Sequence, residues 1–400
     1  MTLVQTSGVP QASRDHADVP AAGRTDRPVV VVYTHSLLER SMTFIRSHSE
    51  ALVRYQPVYA GSRRVTGLDL PVGRVVTANE GGLRGQASEY LFRRYGLAPG
   101  FVRKLRAHAP VLVHAHFGQS GPAALTVAES LGIPLVVTYH GQDATISRAH
   151  ASRSWRGREF LRGQQRVFER ARLIVAVSDF IRGKLLEHGC PAAKVLTLYN
   201  GIDVGSFRRS GKDRERIVVF VGRLVEKKGC EYLIRALGLL NARGASVRGI
   251  LVGDGPLRAD LERLAAEQRA DVSFTGFLPQ ASVRDWLERA SVVAVPSVTA
   301  ADGNSEGLPT VILEAQAMGT PVVATRHAGN VEGLAPEQSA LLVEEKDVEG
   351  LARSIGCFCD NLPLVETFGA AGRAFVEEHF DIKKRVECIE RAYDVARSIG

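Results

Sequence analysis

The second half of the chain holds the side chains best suited to act on a phosphorylated substrate. In VGRLVEKKGCEYLIRAL, Gly222, Arg223, Lys227, Lys228 and Gly229 lie between an apolar β-branched run and a helical pattern. Glycines let the backbone approach a ligand, a helix amino terminus offers free N–H groups, and the cations add charge; together they suit a phosphate or diphosphate. Further on, GILVGDGPLRADLERL repeats the order strand, glycine turn and helix at Gly253, Asp254, Gly255 and Pro256. It is not a dinucleotide fingerprint, because the third glycine of G-x-G-x-x-G would fall on Arg258. Pro256 suits a first helical position, and the two glycines serve a tight turn or a ligand contact equally well. In PSVTAADGNSEGLPTVILEAQAMGTPVVAT, Glu306 and Glu314 stand eight apart with a helix-like pattern between them. At about 100° per residue that offset is close to two turns, so a shared helix face is expected. In the first half, HAHFGQSG and TYHGQD put His114, His116, His140 and Asp143 at or just past strand ends. A neutral imidazole at His140 can hydrogen-bond a sugar hydroxyl or a developing charge, whereas alternation turns His114 toward a structural place.

Such residues need strands that end beside one another. Short apolar runs at 29–33, 111–116, 135–140, 173–178 and 194–200 alternate with longer helical patterns, and a second series follows at 217–223, 249–253, 272–277, 292–297 and 321–325. Continuous apolar strands between helices mean parallel sheets covered on both faces, hence two doubly wound α/β domains in tandem. The expected organisation is a disordered polar leader over 1–27, a first domain over 28–203, a Gly-rich charged connection over 204–216, a second domain over 217–380 and a closing helix over 381–400 that packs back on the first domain. Ligands of open α/β sheets bind beyond the carboxyl ends of the strands, so the cleft between the domains is the expected site.

With 400 residues, 45% hydrophobic and 24% charged, the chain can bury full cores without staples. Its five cysteines form no C-x-x-C pair and no metal-ligand spacing, which fits a reducing compartment and argues against a structural zinc. No apolar run approaches the roughly 18 residues of a membrane span, and a cytoplasmic protein is expected. Residues 1–200 carry 26 Lys and Arg against 14 Asp and Glu, while residues 201–400 carry 25 against 29. The basic first half suits an anionic membrane surface or an acidic acceptor, although 42 Arg against 9 Lys also fits a general preference for Arg. Nucleic acid is not an expected partner, because the aromatic fraction is 6% and no recognition motif interleaves the cations.

Taken together, GRLVEKKG at 222–229, GDGP at 253–256, EGLPTVILE at 306–314, the following EAQAMGTPVVAT and the connector YNGIDVGSF at 199–207 resemble glycosyltransferase family 4, the retaining, nucleotide-sugar-dependent enzymes of the GT-B fold. The resemblance covers nearly all of 28–398 and implies a hexose-type sugar moved from a nucleoside-diphosphate sugar, UDP-sugar favoured, to a glycan, lipid-linked or small-molecule acceptor. It implies that Arg223 and Lys228 hold the diphosphate and stabilise it as it leaves, that Glu314 binds the ribose, and that Glu306 stands beside the donor sugar. It further implies that backbone groups from Gly307 through Leu308 and Pro309 to Thr310 reach sugar or phosphate oxygens, that Gly253 and Gly255 flank the donor, and that Gly276, Phe277 and Leu278 flank the base. His140 matches the first-domain histidine near the sugar, and Ser41, His116 and Asp143 fall on the acceptor side. Where many relatives have a Gly-Gly loop, this chain has THSLLERSMTFI at 34–45, similar to a subgroup concerned with bacterial exopolysaccharides. Glu306 is followed by Gly-Leu-Pro where many members have Gly-Phe-Gly.

The resemblance implies front-face transfer with retention, with no tightly bound cofactor and no essential divalent metal, since Arg223, Lys228 and helix N–H groups supply the positive charge. It also implies cytoplasmic placement, peripheral at the inner membrane face if the basic half meets lipid. A nucleotide-sugar epimerase on the same fold and a nonenzymatic sugar-binding protein are the alternatives.

Overall fold

A computed structural model describes residues 27–398, so the leader expected over 1–27 lies outside the described residues apart from Arg27. The chain forms thirteen described strands, most of them rich in β-branched residues, in two sheets with every pairing within them parallel. The first sheet contains β1 (Val29–Leu37), β2 (Gln56–Arg64), β3 (Val75–Asn79), β4 (Pro110–His116), β5 (Leu135–Tyr139), β6 (Leu173–Ala176) and β7 (Val195–Thr197), in the order β3-β2-β1-β4-β5-β6-β7. The second contains β8 (Glu215–Val221), β9 (Arg248–Val252), β10 (Val272–Gly276), β11 (Ala290–Val295), β12 (Val322–Thr325) and β13 (Ala340–Val343), in the order β10-β9-β8-β11-β12-β13. In each sheet the order reverses beside its first strand, so the molecule is two Rossmann-like domains facing each other in the GT-B manner.

Three of these strands were not expected. β2 reads QPVYAGSRR and carries only the short run Val58 to Ala60 with no stretch of β-branched residues, and beyond it small residues let backbones close up: a Cβ on Gly61 would lie 2.8 Å from the Thr34 carbonyl oxygen. β3 and β13 are short strands at sheet edges.

Helices bury both faces of each sheet. On one face of the first sheet, Val30, Val32, Leu112 and Val136 pack against Ile382, Val386, Ile389, Tyr393 and Ala396 of the last helix, Ile382–Ser398. Polar contacts fasten the same helix. The buried Glu390 carboxylate accepts the backbone N–H groups of Val53 (2.8 Å) and Arg54 (2.7 Å), and Asp394 accepts the Tyr55 hydroxyl (2.6 Å). The chain crosses between domains twice at one place, where the Ile202 N–H donates to Phe380 O (2.8 Å) and the Ile382 N–H to Ile202 O (2.9 Å). Among the described residues no helix is long and apolar enough to cross a membrane.

Candidate functional site

The carboxyl ends of β8, β9 and β10 open on a cavity of about 500 Å³ between the domains. Its second-domain lining includes Gly222, Arg223, Lys227, Lys228, Gly253, Phe277, Leu278, Glu306, Pro309, Thr310 and Glu314, while Arg40, Ser41, Thr43 and Gln142 close it from the first domain. The residues expected to hold a donor are thus largely gathered on one wall.

Lys228 ends the single turn Glu226–Lys228, and Gly229 then starts the helix Cys230–Ala242 in a left-handed conformation. Only glycine fits there, since a Cβ would come 1.8 Å from the Pro296 carbonyl oxygen. The turn aims both lysines at one carboxylate: Lys228 Nζ lies 3.1 Å and Lys227 Nζ 3.6 Å from Glu306 Oε1, and Lys227 also donates to Ser305 O at 3.2 Å. Burial alone would raise the pKa of Glu306, but Lys228 and Lys227 prevail and hold its carboxyl below the usual range. Burial lowers the pKa of Lys227 despite its carboxylate partner. Arg223 is exposed to the cavity.

Glu306 does not share a helix face with Glu314, contrary to expectation. The helix is Thr310–Ala317, and Glu306 sits in the loop before it. Pro309 has no N–H to donate and disfavours helical backbone in the residue before it, so the helix cannot extend back to Glu306. Both carboxylates line the cavity nonetheless. Glu314 keeps part of its side chain open to the cavity, yet burial pushes its carboxyl up to about 7.

Two residues absent from the sequence reading hold Glu306 in place. His327 Nε2 accepts the Glu306 N–H at 3.2 Å, and His327 Nδ1 lies 2.6 Å from Glu345 Oε1, which fixes the tautomer with its proton on Nδ1. Glu345 also accepts the Thr299 N–H at 3.0 Å. The loop 299–309 is therefore anchored behind Glu306. In front it meets the first domain: the Ser305 N–H donates to Thr145 Oγ1 (3.0 Å), the Ser147 N–H to Asp302 O (3.2 Å), and a Cβ on Gly307 would lie 2.1 Å from the His140 carbonyl oxygen.

Other expected residues fall outside the cavity wall. The His140 ring packs between Phe44 and Phe117 and lines a separate cavity of about 40 Å³ with His48, His114 and His116. Its Nε2 lies 3.1 Å from His116 Nδ1, while its own Nδ1 has no hydrogen-bond partner among the described residues. Burial pushes the imidazoles of His140 and His114 down to about 3 and that of His48 to about 4, and lowers that of His116, so all four are neutral. Asp143 accepts the N–H groups of Gly118 (2.7 Å), Gly141 (2.8 Å) and His140 (3.0 Å), which shapes the turn carrying His140 and Gln142. Gly255 is spent on close packing, a Cβ there falling 2.4 Å from Leu224 O. Gly276 adopts φ +70° and its carbonyl accepts the Gly253 N–H at 2.9 Å; Gly307 and Leu308 form the loop behind Pro309. Among the described residues no group of three or more His, Cys, Asp or Glu side chains is placed to hold a metal ion.

Comparison with known proteins agrees with this fold. Residues 58–206 match Glycosyltransferase Family 4, and residues 215–361 match Glycosyl transferases group 1. The chain is 32% identical over 325 residues to the amylovoran biosynthesis glycosyltransferase AmsK of Erwinia amylovora, covering 77% of this chain and 78% of that one. It is 33% identical over 252 residues to the putative colanic acid biosynthesis glycosyltransferase WcaL of Escherichia coli K12, covering 61% of this chain and 60% of that one. Among solved structures, sucrose-phosphate synthase from Thermosynechococcus elongatus superposes with a TM-score of 0.75 at 20% identity over 94% of this chain and 100% of that one. Anabaena HepE in complex with UDP-glucose gives a TM-score of 0.72 at 20% identity over 92% and 99% of the two chains.

Proposed function

From the premise that the chain belongs to glycosyltransferase family 4, we propose that it is a retaining hexosyltransferase moving a sugar from a nucleoside-diphosphate sugar, with UDP-sugar favoured, to an acceptor hydroxyl. The observation that carries this reading is the arrangement around Glu306, where two lysines and a carboxylate meet at a cavity that also presents Arg223, Glu314 and the amino terminus of the helix Thr310–Ala317. Relatives named for amylovoran and colanic acid biosynthesis support a glycan or lipid-linked acceptor, and UDP-glucose is the donor in the solved HepE complex of the same fold.

In this reading the diphosphate lies against Arg223, Lys228 and the free N–H groups at Thr310 and Val311, whose charge rises in value as the bond from sugar C1 to the diphosphate oxygen breaks. Glu314 takes the ribose hydroxyls, and Phe277 and Leu278 flank the base. Glu306, ionised between its lysines, faces the sugar. The acceptor oxygen bonds to C1 on the face the diphosphate leaves, and the departing diphosphate oxygen takes the acceptor proton. The cations do the charge neutralisation, so the reading needs no divalent metal and no bound cofactor.

A panel of nucleotide sugars tests it, scored by thermal stabilisation and by slow acceptor-independent hydrolysis. With UDP-α-glucose or another accepted donor, proton NMR should show the α-anomer of the released sugar before mutarotation. First appearance of the β-anomer overturns retention. Interconversion of donor sugars without any acceptor favours an epimerase, and stabilisation by free sugars alone favours a sugar-binding protein.

A further inference from the structure

The helix Gly82–Tyr95 has two apolar sides, and only one of them is covered. Inward, Gly85 and Phe92 are buried, the Phe92 ring lying 5.3 Å from that of Phe101 and 6.5 Å from that of Tyr33. On the opposite side Leu83, Ala87, Tyr90, Leu91 and Arg94 recur at i, i+4, i+7, i+8 and i+11, the spacing of one continuous helical stripe. Leu83 is 84% exposed, Tyr90 61% and Leu91 43%, and the patch continues past the helix end through Tyr95 and Leu97. Tyr90 and Tyr95 meet edge to face at 6.5 Å, and the Arg94 guanidinium sits 5.4 Å from the Tyr95 ring centre.

Cations outnumber carboxylates along this stretch, Lys104 being paired with Glu80 just before the helix. Residues 81–107 contain six Lys and Arg against one carboxylate, Glu89, which is 3.6 Å from Arg93 and accepts from Asn79 at 2.7 Å. Among the described residues, Arg84, Arg94 and Arg103 have no carboxylate partner. A second copy of this chain is a poor occupant, since two such cationic patches repel. A bilayer of anionic lipid fits each part of the pattern: leucines enter the acyl boundary, tyrosines sit at headgroup level, and guanidinium groups pair with lipid phosphates. The helix starts just beyond the carboxyl end of β3, and the carboxyl ends of the strands are the side of an open α/β sheet on which ligands bind.

We propose that Leu83, Tyr90, Leu91 and Arg94, extended by Tyr95 and Leu97, seat the first domain on an anionic lipid bilayer, with the cleft opening toward that surface. The proposal rests on the transfer reading only in that a membrane would present a lipid-linked acceptor to the cleft.

Cosedimentation of the full chain with phosphatidylcholine vesicles, with and without phosphatidylglycerol, tests it at low and high salt. The wild type should bind the anionic vesicles, and salt should weaken the binding. Replacing the apolar side chains (Leu83→Ser, Tyr90→Ser and Leu91→Ser together) should weaken binding at least about tenfold at equal salt, and Arg84→Gln with Arg93→Gln and Arg94→Gln should remove most of the salt-sensitive part. No wild-type binding to anionic vesicles at low salt overturns the proposal. So does undiminished binding by both variants, or self-association of the wild type that the serine variant abolishes. UDP-induced thermal stabilisation is measured on the same preparations. Its loss with vesicle binding intact removes the transfer reading alone, and the converse removes the surface alone.

Discussion

Glu306 is held from three sides: Lys228 and Lys227 at its carboxylate and His327 at its backbone. Lys228→Ala should lower kcat/KM about 100-fold or more, the scale of one preorganised electrostatic contact, in a donor-hydrolysis assay. Glu306→Ala should damage turnover while sparing UDP affinity, whereas Glu314→Ala should weaken free UDP and donor alike by calorimetry; equal losses in both would refute separate roles. His327→Ala leaves the Glu306 N–H without its acceptor, so kcat should fall about tenfold with UDP affinity unchanged, and His327→Gln, whose amide oxygen can accept that N–H, should recover part of the loss. Glu314 adds a pH dependence. Its carboxyl titrates at about 7 in the folded chain against an ordinary 4.5, so the fold favours the protonated form and loses stability as pH rises from 4.5 through 7. Glu314→Gln should therefore gain on the wild type, by on the order of 2 kcal/mol, in denaturant melts at pH 8 but not at pH 4. Because the carboxylate is the better acceptor for ribose hydroxyls, uridine affinity should rise through pH 7 in the wild type and stay flat in the variant.

At the scale of elements, the loop 299–309 is a backbone joint between the domains. Gly307→Ala puts a methyl 2.1 Å from the His140 carbonyl oxygen, and neither backbone can yield without moving a domain. Donor turnover should drop more than tenfold, while Gly183→Ala, in a helix with nothing within 4 Å, should stabilise the chain by about 0.5–1 kcal/mol. This joint also separates what could be read in the sequence from what could not. Arg223, Lys228, Glu306 and Glu314 were legible because each sits in a compact motif whose residues are neighbours in the chain. The clasp of His327 and Glu345 on Glu306 was not, since it spans 21 and 39 positions and no local pattern announces it. Nor were Arg40 and Gln142, which enter the cavity from the other domain. The strands found were those with continuous β-branched runs, and β2 escaped because its small residues serve close backbone packing instead.

The whole molecule depends on its last helix. Deleting residues 381–400 strips the cover from Val30, Val32, Leu112 and Val136, so the truncated chain should bind a hydrophobic dye strongly and aggregate, read by fluorescence and light scattering. Glu390→Ala should act more gently, costing about 2–3 kcal/mol in a thermal melt by orphaning two backbone N–H groups. The same helix reverses the usual timetable of synthesis. Strand β1 emerges from the ribosome before the other described strands, yet the face of its sheet carrying Val30, Val32, Leu112 and Val136 lacks part of its cover until residue 396 has been made and has cleared the exit tunnel. At roughly 5–20 residues per second, the first-made half waits on the order of ten seconds or more after its own last strand, while the second-made half can close before it. The early part of this chain should therefore lean on chaperones for longer than the later part, and a premature stop just before residue 381 should cost the first-made domain part of its core rather than the last-made one.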